Sequence, residues 1–195
     1  MKAAVLHDKE NLQVEEIDKP EIKDNEVLIK TKACGICGTD IAMYTGKYLP
    51  KTPVVPGHEF SGKVAEIGDE VANIQVGDRV TADENTSCGT CYFCKRGQKL
   101  FCPDLRQVGI HSNGGYSEFF KVPQSNVFRL PDDMKFEGAA MIEPLACVVR
   151  AIERANIETG DRIAVIGDGP MGLLCTRMAK VDGRSEEHTS ELQSP

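Results

Sequence analysis

Four cysteines within one short segment constrain the fold of this chain more than any other feature. They lie at Cys88, Cys91, Cys94 and Cys102, which gives the spacing C-x2-C-x2-C-x7-C. One loop with this spacing can wrap four thiolates around a tetrahedral Zn2+ ion, so it predicts a structural zinc lobe over residues 84–106. A pair of disulfides is the alternative, but we see no secretory signature, and a reducing compartment keeps thiols reduced.

Composition indicates what kind of protein carries this lobe. The chain has 195 residues, 41% of them hydrophobic, which is enough for a core that does not depend on zinc alone. Its formal net charge is −7 and it has no extended cluster of Lys and Arg, so we expect neither nucleic acid nor an anionic membrane as a partner. No segment is apolar for long enough to predict a signal peptide or a membrane span, and we expect a cytoplasmic protein.

Short strands are predicted in the first two thirds of the chain, and helix after them. Alternating or β-branched runs predict strands at residues 2–6, 12–17, 26–33, 60–67, 76–82 and 116–122. Recurrent glycines between them are typical of a β-barrel with tight corners. An apolar face with helical spacing predicts a helix over residues 136–156.

A glycine-rich turn follows a further predicted strand at residues 162–166 and precedes a predicted helix at residues 173–180. The turn consists of Gly167, Asp168, Gly169, Pro170, Met171 and Gly172. G-x-G-x-x-G between strand and helix predicts dinucleotide binding, because the glycines let the backbone approach a pyrophosphate at the start of the helix. The residue expected to contact the adenosine ribose would fall about 20 positions further on. That position lies in residues 184–195, which resemble a translated sequencing adapter and which we treat as foreign, so NAD and NADP both remain open.

Three scattered fragments could supply a second metal site. They hold Cys37 in Gly-Ile-Cys-Gly-Thr-Asp, His58 and Glu59 in Pro-Gly-His-Glu, and Glu143 in Glu-Pro-Leu. Taken singly, such a cysteine is more often a small buried apolar residue, and such a histidine is often only a hydrogen-bonding group. Residue types alone therefore leave both alternatives open.

The order of these motifs resembles that of the zinc-dependent medium-chain dehydrogenases. The resemblance covers residues 1–183 and includes the Cys37 motif, the His58 and Glu59 motif, the four-cysteine lobe, Asn-Gly-Gly-Tyr-Ser-Glu-Phe at residues 113–119, and the glycine-rich turn. It implies an α/β architecture, in which a GroES-like β-barrel catalytic domain at residues 1–150 is followed by the start of a Rossmann domain at residues 151–183. It also implies two zinc ions, one catalytic and one structural, together with NAD or NADP.

The same resemblance implies the roles of individual residues. Cys37 and His58 are expected to bind the catalytic zinc, with Glu59 as a direct or alternating ligand and Glu143 as the ligand from the third fragment. Thr39 is expected to take the proton of the substrate hydroxyl. Members that oxidise simple alcohols carry cysteine where this chain has Glu143, and threonine dehydrogenases carry aspartate. Glu-Pro-Leu is similar to sorbitol, butanediol and sugar-alcohol-phosphate dehydrogenases, which implies a small-molecule secondary alcohol or polyol as substrate.

Four further positions qualify this interpretation. Ala42 stands where many relatives have a histidine that passes the proton to solvent, so water or Tyr44 would have to complete that path. Cys34 and Cys37 form a C-x-x-C that could be redox-active, although a glycine-rich strand end is the wrong context for that chemistry. Cys147 is interpreted as helix packing rather than as a ligand, and Cys175 as a core residue.

Three interpretations from different classes remain. The first is a zinc polyol dehydrogenase that is a homo-oligomer when intact. The second is a non-enzymatic zinc-ribbon module, which would be expected to carry a basic face and more than the 6% aromatic residues found here. The third is an inactive, truncated and aggregation-prone fragment that retains only structural zinc binding, because a single βα unit cannot complete a doubly wound sheet.

Overall fold

The computed structural model describes residues 1–48, 50–157, 161 and 163–181. The chain divides into two compact units, Met1–Met141 and Ile142–Pro195. The predicted domain limits, 1–150 and 151–183, stay predictions. The tail predicted to be foreign, residues 184–195, lies outside the described residues.

The first unit is organised around antiparallel strands. They are β1 (Lys2–Asp8), β2 (Asn11–Glu16), β3 (Glu26–Cys34), β4 (Phe60–Ile67), β5 (Arg79–Ala82), β6 (Asn85–Thr86), β7 (Arg106–Gln107), β8 (Phe119–Pro123) and β9 (Val127–Arg129). The first four lie close to their predicted bounds. The strand predicted over residues 76–82 is shorter because Gly77 has φ of 95°, a left-handed conformation that interrupts the extended chain.

A five-stranded antiparallel sheet with the order β8-β3-β4-β5-β9 carries the main core. In the interior strand β3, Ile29 lies opposite Val64 of β4 on one side and Phe120 of β8 on the other. All three side chains are buried in one cluster together with Val27 and Phe60. Strands β8 and β9 are the two edges of this sheet, so the predicted barrel is not closed among the described strands.

The β1–β2 hairpin lies against two loops that carry site residues. The Leu6 amide donates to the carbonyl of Val54 over 2.8 Å, and the Ala4 amide donates to the carbonyl of Tyr116 over 2.8 Å. These bonds fix the loops before β4 and before β8, which hold His58 and Tyr116 respectively.

The cysteine-rich segment lies between β6 and β7, whose pairing closes its two ends. Asn85 lies opposite Gln107 in this short ladder. The side-chain amide of Asn126 donates to the carbonyls of Asp83 and Asn85, and Lys99 forms an ion pair with Asp83. These bonds attach the predicted zinc lobe to the sheet.

The helices are α1 (Gly38–Tyr44), α2 (Tyr92–Lys95), α3 (Phe136–Ala140), α4 (Ile142–Ala155) and α5 (Pro170–Val181). The single helix predicted over residues 136–156 is broken at Met141 into α3 and α4. Pro144 explains the break, because proline lacks an N–H group and its ring clashes with the carbonyl four residues earlier, so it fits only in the first turn of a helix.

The second unit contains α4 and α5 among its described residues. The helix predicted over residues 173–180 is confirmed within α5. The strand predicted at residues 162–166 does not form over 163–166, and Ile166 is 85% exposed. A strand needs a hydrogen-bonded neighbour, and no described residue pairs with this segment. None of the described helices is long and apolar enough to span a bilayer.

Candidate functional site

The start of α1 presents Cys37 and Thr39 together. Cys37 is the N-cap residue, with extended φ and ψ of −90° and 158°. Its amide donates to Asp40 Oδ2 over 2.8 Å, which satisfies one of the donors near the helix start. The Thr39 hydroxyl oxygen lies 3.7 Å from Cys37 Sγ. The predicted zinc ligand and the predicted proton acceptor therefore share one short turn.

His58 and Glu59 directly precede β4 and are both buried, at 5% and 7% exposure. The carbonyl of Glu59 accepts a 2.8 Å hydrogen bond from the amide of Gly35. A side chain at Gly35 would overlap the Glu59 carboxylate, so the glycine makes room for it. This pairing brings the loop with His58 and Glu59 against the segment that leads to Cys37.

One candidate ligand atom from each of Cys37, His58 and Glu59 lies within 4.8 Å of the other two. Sulfur, imidazole nitrogen and carboxylate oxygen are the donors that zinc accepts, and ligands around one tetrahedral ion are separated by about 3.5 Å. Small side-chain adjustments would therefore bring these atoms onto one ion. The donor set and its spacing fit a zinc ion.

Two buried polar atoms beside this group indicate which ring nitrogen of His58 is available to a metal. His58 Nδ1 and Asp40 Oδ1 have no hydrogen-bond partner among the described residues, and they are 3.6 Å apart. A buried polar atom without a partner costs free energy, so these two neighbouring atoms favour interaction with each other. Because Nδ1 faces Asp40, Nε2 is the ring nitrogen of His58 that is left for a metal.

Burial raises the pKa of Cys37 above its usual range, and the nearby Glu59 carboxylate adds to this, although hydrogen bonds from Thr39 oppose it. Without a metal, the thiol is therefore protonated at neutral pH, and zinc binding must release that proton. Burial and then the charge of Asp40 raise the pKa of Cys34 to about 12. A thiol with that pKa carries almost no thiolate, which argues against a redox-active Cys34–Cys37 pair.

The four sulfur atoms of the lobe form the second group of candidate ligands. The Sγ atoms of Cys88, Cys91, Cys94 and Cys102 all lie within 4.8 Å of one another. The distance from Cys88 Sγ to Cys94 Sγ is 4.0 Å, against about 3.8 Å for two thiolates on one tetrahedral zinc. All eight cysteines are free thiols, so the structure does not contain the alternative pair of disulfides.

Backbone amides of the lobe itself point at these sulfurs. The amide of Cys91 donates to Cys88 Sγ over 3.4 Å, and that of Cys94 donates to Cys91 Sγ over 3.5 Å. Hydrogen bonds from Thr90 and Cys91 lower the pKa of Cys88 to about 6. These hydrogen bonds therefore favour the thiolate form of Cys88, which is the form that zinc requires.

Glu143 lies in the first turn of α4, in the second unit, where Cys147 Sγ lies 3.7 Å from its Oε1. The groups of candidate metal ligands found among the described residues do not include Glu143, and its role as a ligand stays a prediction. Cys175 is partly buried in α5.

The glycine-rich turn forms the start of α5. Gly167 has φ of 123°, which an L side chain rarely adopts, and a side chain at Gly172 would overlap the carbonyl of Gly167. The helix begins at Pro170, and the amide of Leu173 donates to the carbonyl of Gly169 over 3.0 Å. Tight glycine packing at a helix start agrees with the predicted pyrophosphate turn, and Gly169, Pro170 and Met171 keep their predicted roles as proposals.

Sequence reasoning assigned no role to Asp40 or Tyr116. The Tyr116 hydroxyl lies 3.0 Å from Asp40 Oδ2 and 2.9 Å from the carbonyl oxygen of Gly35. Burial and the charge of Asp40 raise the pKa of Tyr116, so the hydroxyl keeps its hydrogen. Both residues lie within motifs already noted, but their contact joins positions 76 residues apart, which no local pattern reveals.

Comparison with known proteins places this architecture among related chains. The family model of the alcohol dehydrogenase GroES-like domain matches residues 23–132. Sorbitol dehydrogenase of Bacillus subtilis (strain 168) is 37% identical over 198 residues, covering 99% of this chain and 56% of the relative. D-arabitol-phosphate dehydrogenase of Enterococcus avium is 43% identical over 171 residues, covering 86% and 49%.

A solved structure of a dehydrogenase is also similar to this chain. The short chain alcohol dehydrogenase from Escherichia coli CFT073, complexed with the cofactor NADH, superimposes with a TM-score of 0.89 at 34% identity. The match covers 94% of this chain and 54% of that one. The chain thus spans about half the length of the curated relatives it matches.

Proposed function

This chain belongs to the alcohol dehydrogenase GroES-like domain family, and from that premise we propose that it forms the zinc-binding part of an NAD(P)-dependent polyol dehydrogenase. The observation that carries the proposal is the meeting of Cys37, His58 and Glu59 ligand atoms within 4.8 Å. These residues come from separate segments, and their donor types suit a catalytic zinc more than a structural one, where cysteines predominate.

The residues proposed for the catalytic site have different roles. Cys37, His58 and Glu59 hold the metal, and Glu143 is proposed as a further carboxylate ligand. A zinc ion bound there would supply the Lewis acidity that lowers the pKa of an alcohol. Thr39 is proposed to accept the substrate hydroxyl proton, and the distance of 3.7 Å between its hydroxyl oxygen and Cys37 Sγ supports this role.

The second unit is proposed to hold the dinucleotide. Gly167, Gly169 and Gly172 keep the chain free of side chains where a pyrophosphate would approach, with Pro170 and Met171 at the start of α5. The nicotinamide supplies the hydride acceptor, and the protein supplies position. The complex of a similar structure with NADH supports this cofactor class, and NADP remains open.

The substrate class proposed is a polyol, a vicinal secondary alcohol, or a sugar alcohol and its phosphate. The names of two similar proteins, a sorbitol and a D-arabitol-phosphate dehydrogenase, support this class. Carboxylate oxygens donate less charge to zinc than thiolate sulfurs do, so they leave the ion harder and more accepting of further oxygen ligands. Such a site suits a substrate with adjacent hydroxyls.

Zinc stoichiometry tests the proposal most directly. We expect the purified 195-residue chain to bind two zinc ions, the Cys37→Ser variant one, and the control Cys175→Ser two. Uptake of one ion by the unaltered chain would refute the catalytic site and leave only structural zinc binding.

Turnover then tests the chemistry. The chain would be assayed with sorbitol, an arabitol phosphate, 2,3-butanediol and L-threonine, each with NAD and NADP. If the chain folds with a complete catalytic site, we expect it to oxidise a polyol, and we expect the Cys37→Ser variant to have lost this activity. Oxidation of L-threonine alone would contradict the substrate class.

A further inference from the structure

A buried hydrogen-bond network lies directly behind the proposed catalytic metal ligands. Asp40 is 8% exposed, and no Lys or Arg forms an ion pair with it among the described residues. Its Oδ2 accepts from the Cys37 amide over 2.8 Å and lies 3.0 Å from the Tyr116 hydroxyl. Its Oδ1 faces His58 Nδ1 at 3.6 Å. One carboxylate therefore connects a helix cap, a tyrosine and a candidate ligand.

The hydrogen of the Tyr116 hydroxyl has two possible acceptors, Asp40 Oδ2 and the carbonyl oxygen of Gly35 at 2.9 Å. A phenol carries a single hydrogen, so it cannot donate fully to both. A hydrogen bond to a buried ionised carboxylate is stronger than one to a neutral carbonyl. The hydroxyl therefore donates chiefly to Asp40, and it holds Oδ2 on the side away from His58.

The Tyr116 ring is locked in place by glycine. A Cβ atom at Gly57 would lie 2.6 Å from Tyr116 Cδ1, so only glycine leaves room for the ring at this point. The amide of Tyr116 donates to the carbonyl of Pro56 over 3.0 Å, and the ring packs on the cluster of Ala3, Val5 and Val55. The hydroxyl is therefore a fixed donor rather than a mobile one.

We propose that Tyr116 is a positioning residue for the catalytic metal site, acting through Asp40 on the orientation of His58. With both donors on Oδ2, Oδ1 is left facing Nδ1 at 3.6 Å. A small shift of the ring would let Oδ1 accept the Nδ1 hydrogen, which would fix the tautomer and the ring plane that present Nε2 to a metal. Outer hydrogen-bond partners of ligating histidines commonly change metal affinity by roughly 10–100-fold. The inference rests on the proposed function, because it requires a metal at Cys37, His58 and Glu59.

Removal of the single hydroxyl tests this role. Because Tyr116 acts through Asp40 and does not contact His58, we expect Tyr116→Phe to weaken zinc binding at this site by roughly 10-fold, the lower end of that range, measured as chelator competition on the zinc-loaded 195-residue chain. The four-cysteine ion provides an internal reference and should be retained at the same chelator concentration. Tyr92→Phe, at a residue 66% exposed on the lobe, is the matched control and should leave both affinities unchanged.

A double-mutant cycle separates positioning from packing. In the Asp40→Ala background, Tyr116→Phe should cause no additional loss of zinc affinity, because the residue through which it acts is gone. An equal loss in both backgrounds would show that Tyr116 acts independently of Asp40 and would overturn the inference. Loading with Co2+ gives a second readout, since a reoriented imidazole should shift the visible absorption bands of Tyr116→Phe.

The result also distinguishes this inference from the proposed function. A chain that binds two zinc ions with equal affinity before and after Tyr116→Phe retains the catalytic site but refutes the role of Tyr116. A chain that binds only the four-cysteine ion refutes both.

Discussion

The two candidate metal centres are built in opposite ways. The four sulfurs of the lobe come from one segment, Cys88 to Cys102, and amides of that same segment donate to them. The three ligands of the other centre come from the N-cap of α1 and from the loop before β4, and backbone hydrogen bonds such as that between Gly35 and Glu59 bring these segments together. A local centre depends on its metal to organise its loop, whereas a non-local centre depends on the folded core to organise its metal.

Removing the structural metal should have the largest effect on stability. We expect Cys94→Ser to lower the free energy of unfolding by about 4 kcal/mol or more, because binding at such a site is coupled to folding. Cys37→Ser should cost about 1 kcal/mol or less, since the core forms without that metal. Urea unfolding in excess zinc measures both, and equal losses would erase the contrast between the centres.

A cavity in the hydrophobic core should have the opposite effect and weaken zinc binding at the non-local centre more than at the four-cysteine lobe. Phe60 follows Glu59 directly, is 1% exposed, and has its ring centroid 4.1 Å from that of Phe120. Phe60→Ala should destabilise the first unit by about 3–4 kcal/mol and weaken zinc binding at Cys37, His58 and Glu59. The four-cysteine ion should remain bound, and its release at the same chelator concentration would contradict a self-contained lobe.

Two glycines with left-handed backbone conformations, one beside each centre, allow a comparison of how tightly the two regions are packed. Gly57 has φ of 93° and lies against the Tyr116 ring, while Gly97 has φ of 72° and open space around it. Gly57→Ala should cost about 2–3 kcal/mol and loosen the non-local zinc, because strain and overlap add. Gly97→Ala carries only the strain, about 1 kcal/mol. Thermal unfolding with zinc counting checks the difference, which would vanish if the Tyr116 ring could move aside freely.

The smallest effect is expected at an ion pair remote from both centres. Lys121 Nζ lies 2.8 Å from Glu26 Oε2, between β8 and β3. Burial opposes ionisation of Glu26, but hydrogen bonds from Lys121 and Lys23 outweigh it and lower the pKa of Glu26 below its usual value of 4.5. A lowered folded-state pKa contributes stability above the unfolded-state value, and that contribution is lost as the pH falls through the folded-state value.

Lys121→Met should therefore lower the free energy of unfolding by about 0.5 kcal/mol at pH 7, and by less at pH 3. Urea unfolding at the two pH values measures this. Zinc stoichiometry should stay at the unaltered value, which controls for effects of stability alone on metal retention. A cost that grows toward acid would mean that Glu26 is not the partner that matters.

Local sequence patterns were informative where structure is local. The first four strands and the α5 helix were predicted close to their observed limits, because alternation and helical spacing report which face of an element is buried. The errors arose where a distant or special constraint decides. Pro144 breaks the predicted helix at residues 136–156, and the segment 163–166 lacks a described neighbour with which to pair as a strand.

The four-cysteine lobe could be predicted from the spacing of its residues alone, since about fifteen residues of loop suffice to surround one ion. The sequence also indicated Cys37, His58 and Glu59, but through their occurrence together with other motifs rather than through their spacing. The three-dimensional fold was needed to show that their ligand atoms meet, that Asp40 faces His58, and that Tyr116 reaches Asp40. These contacts join strands and loops far apart in the chain, and packing of the common core fixes their distances.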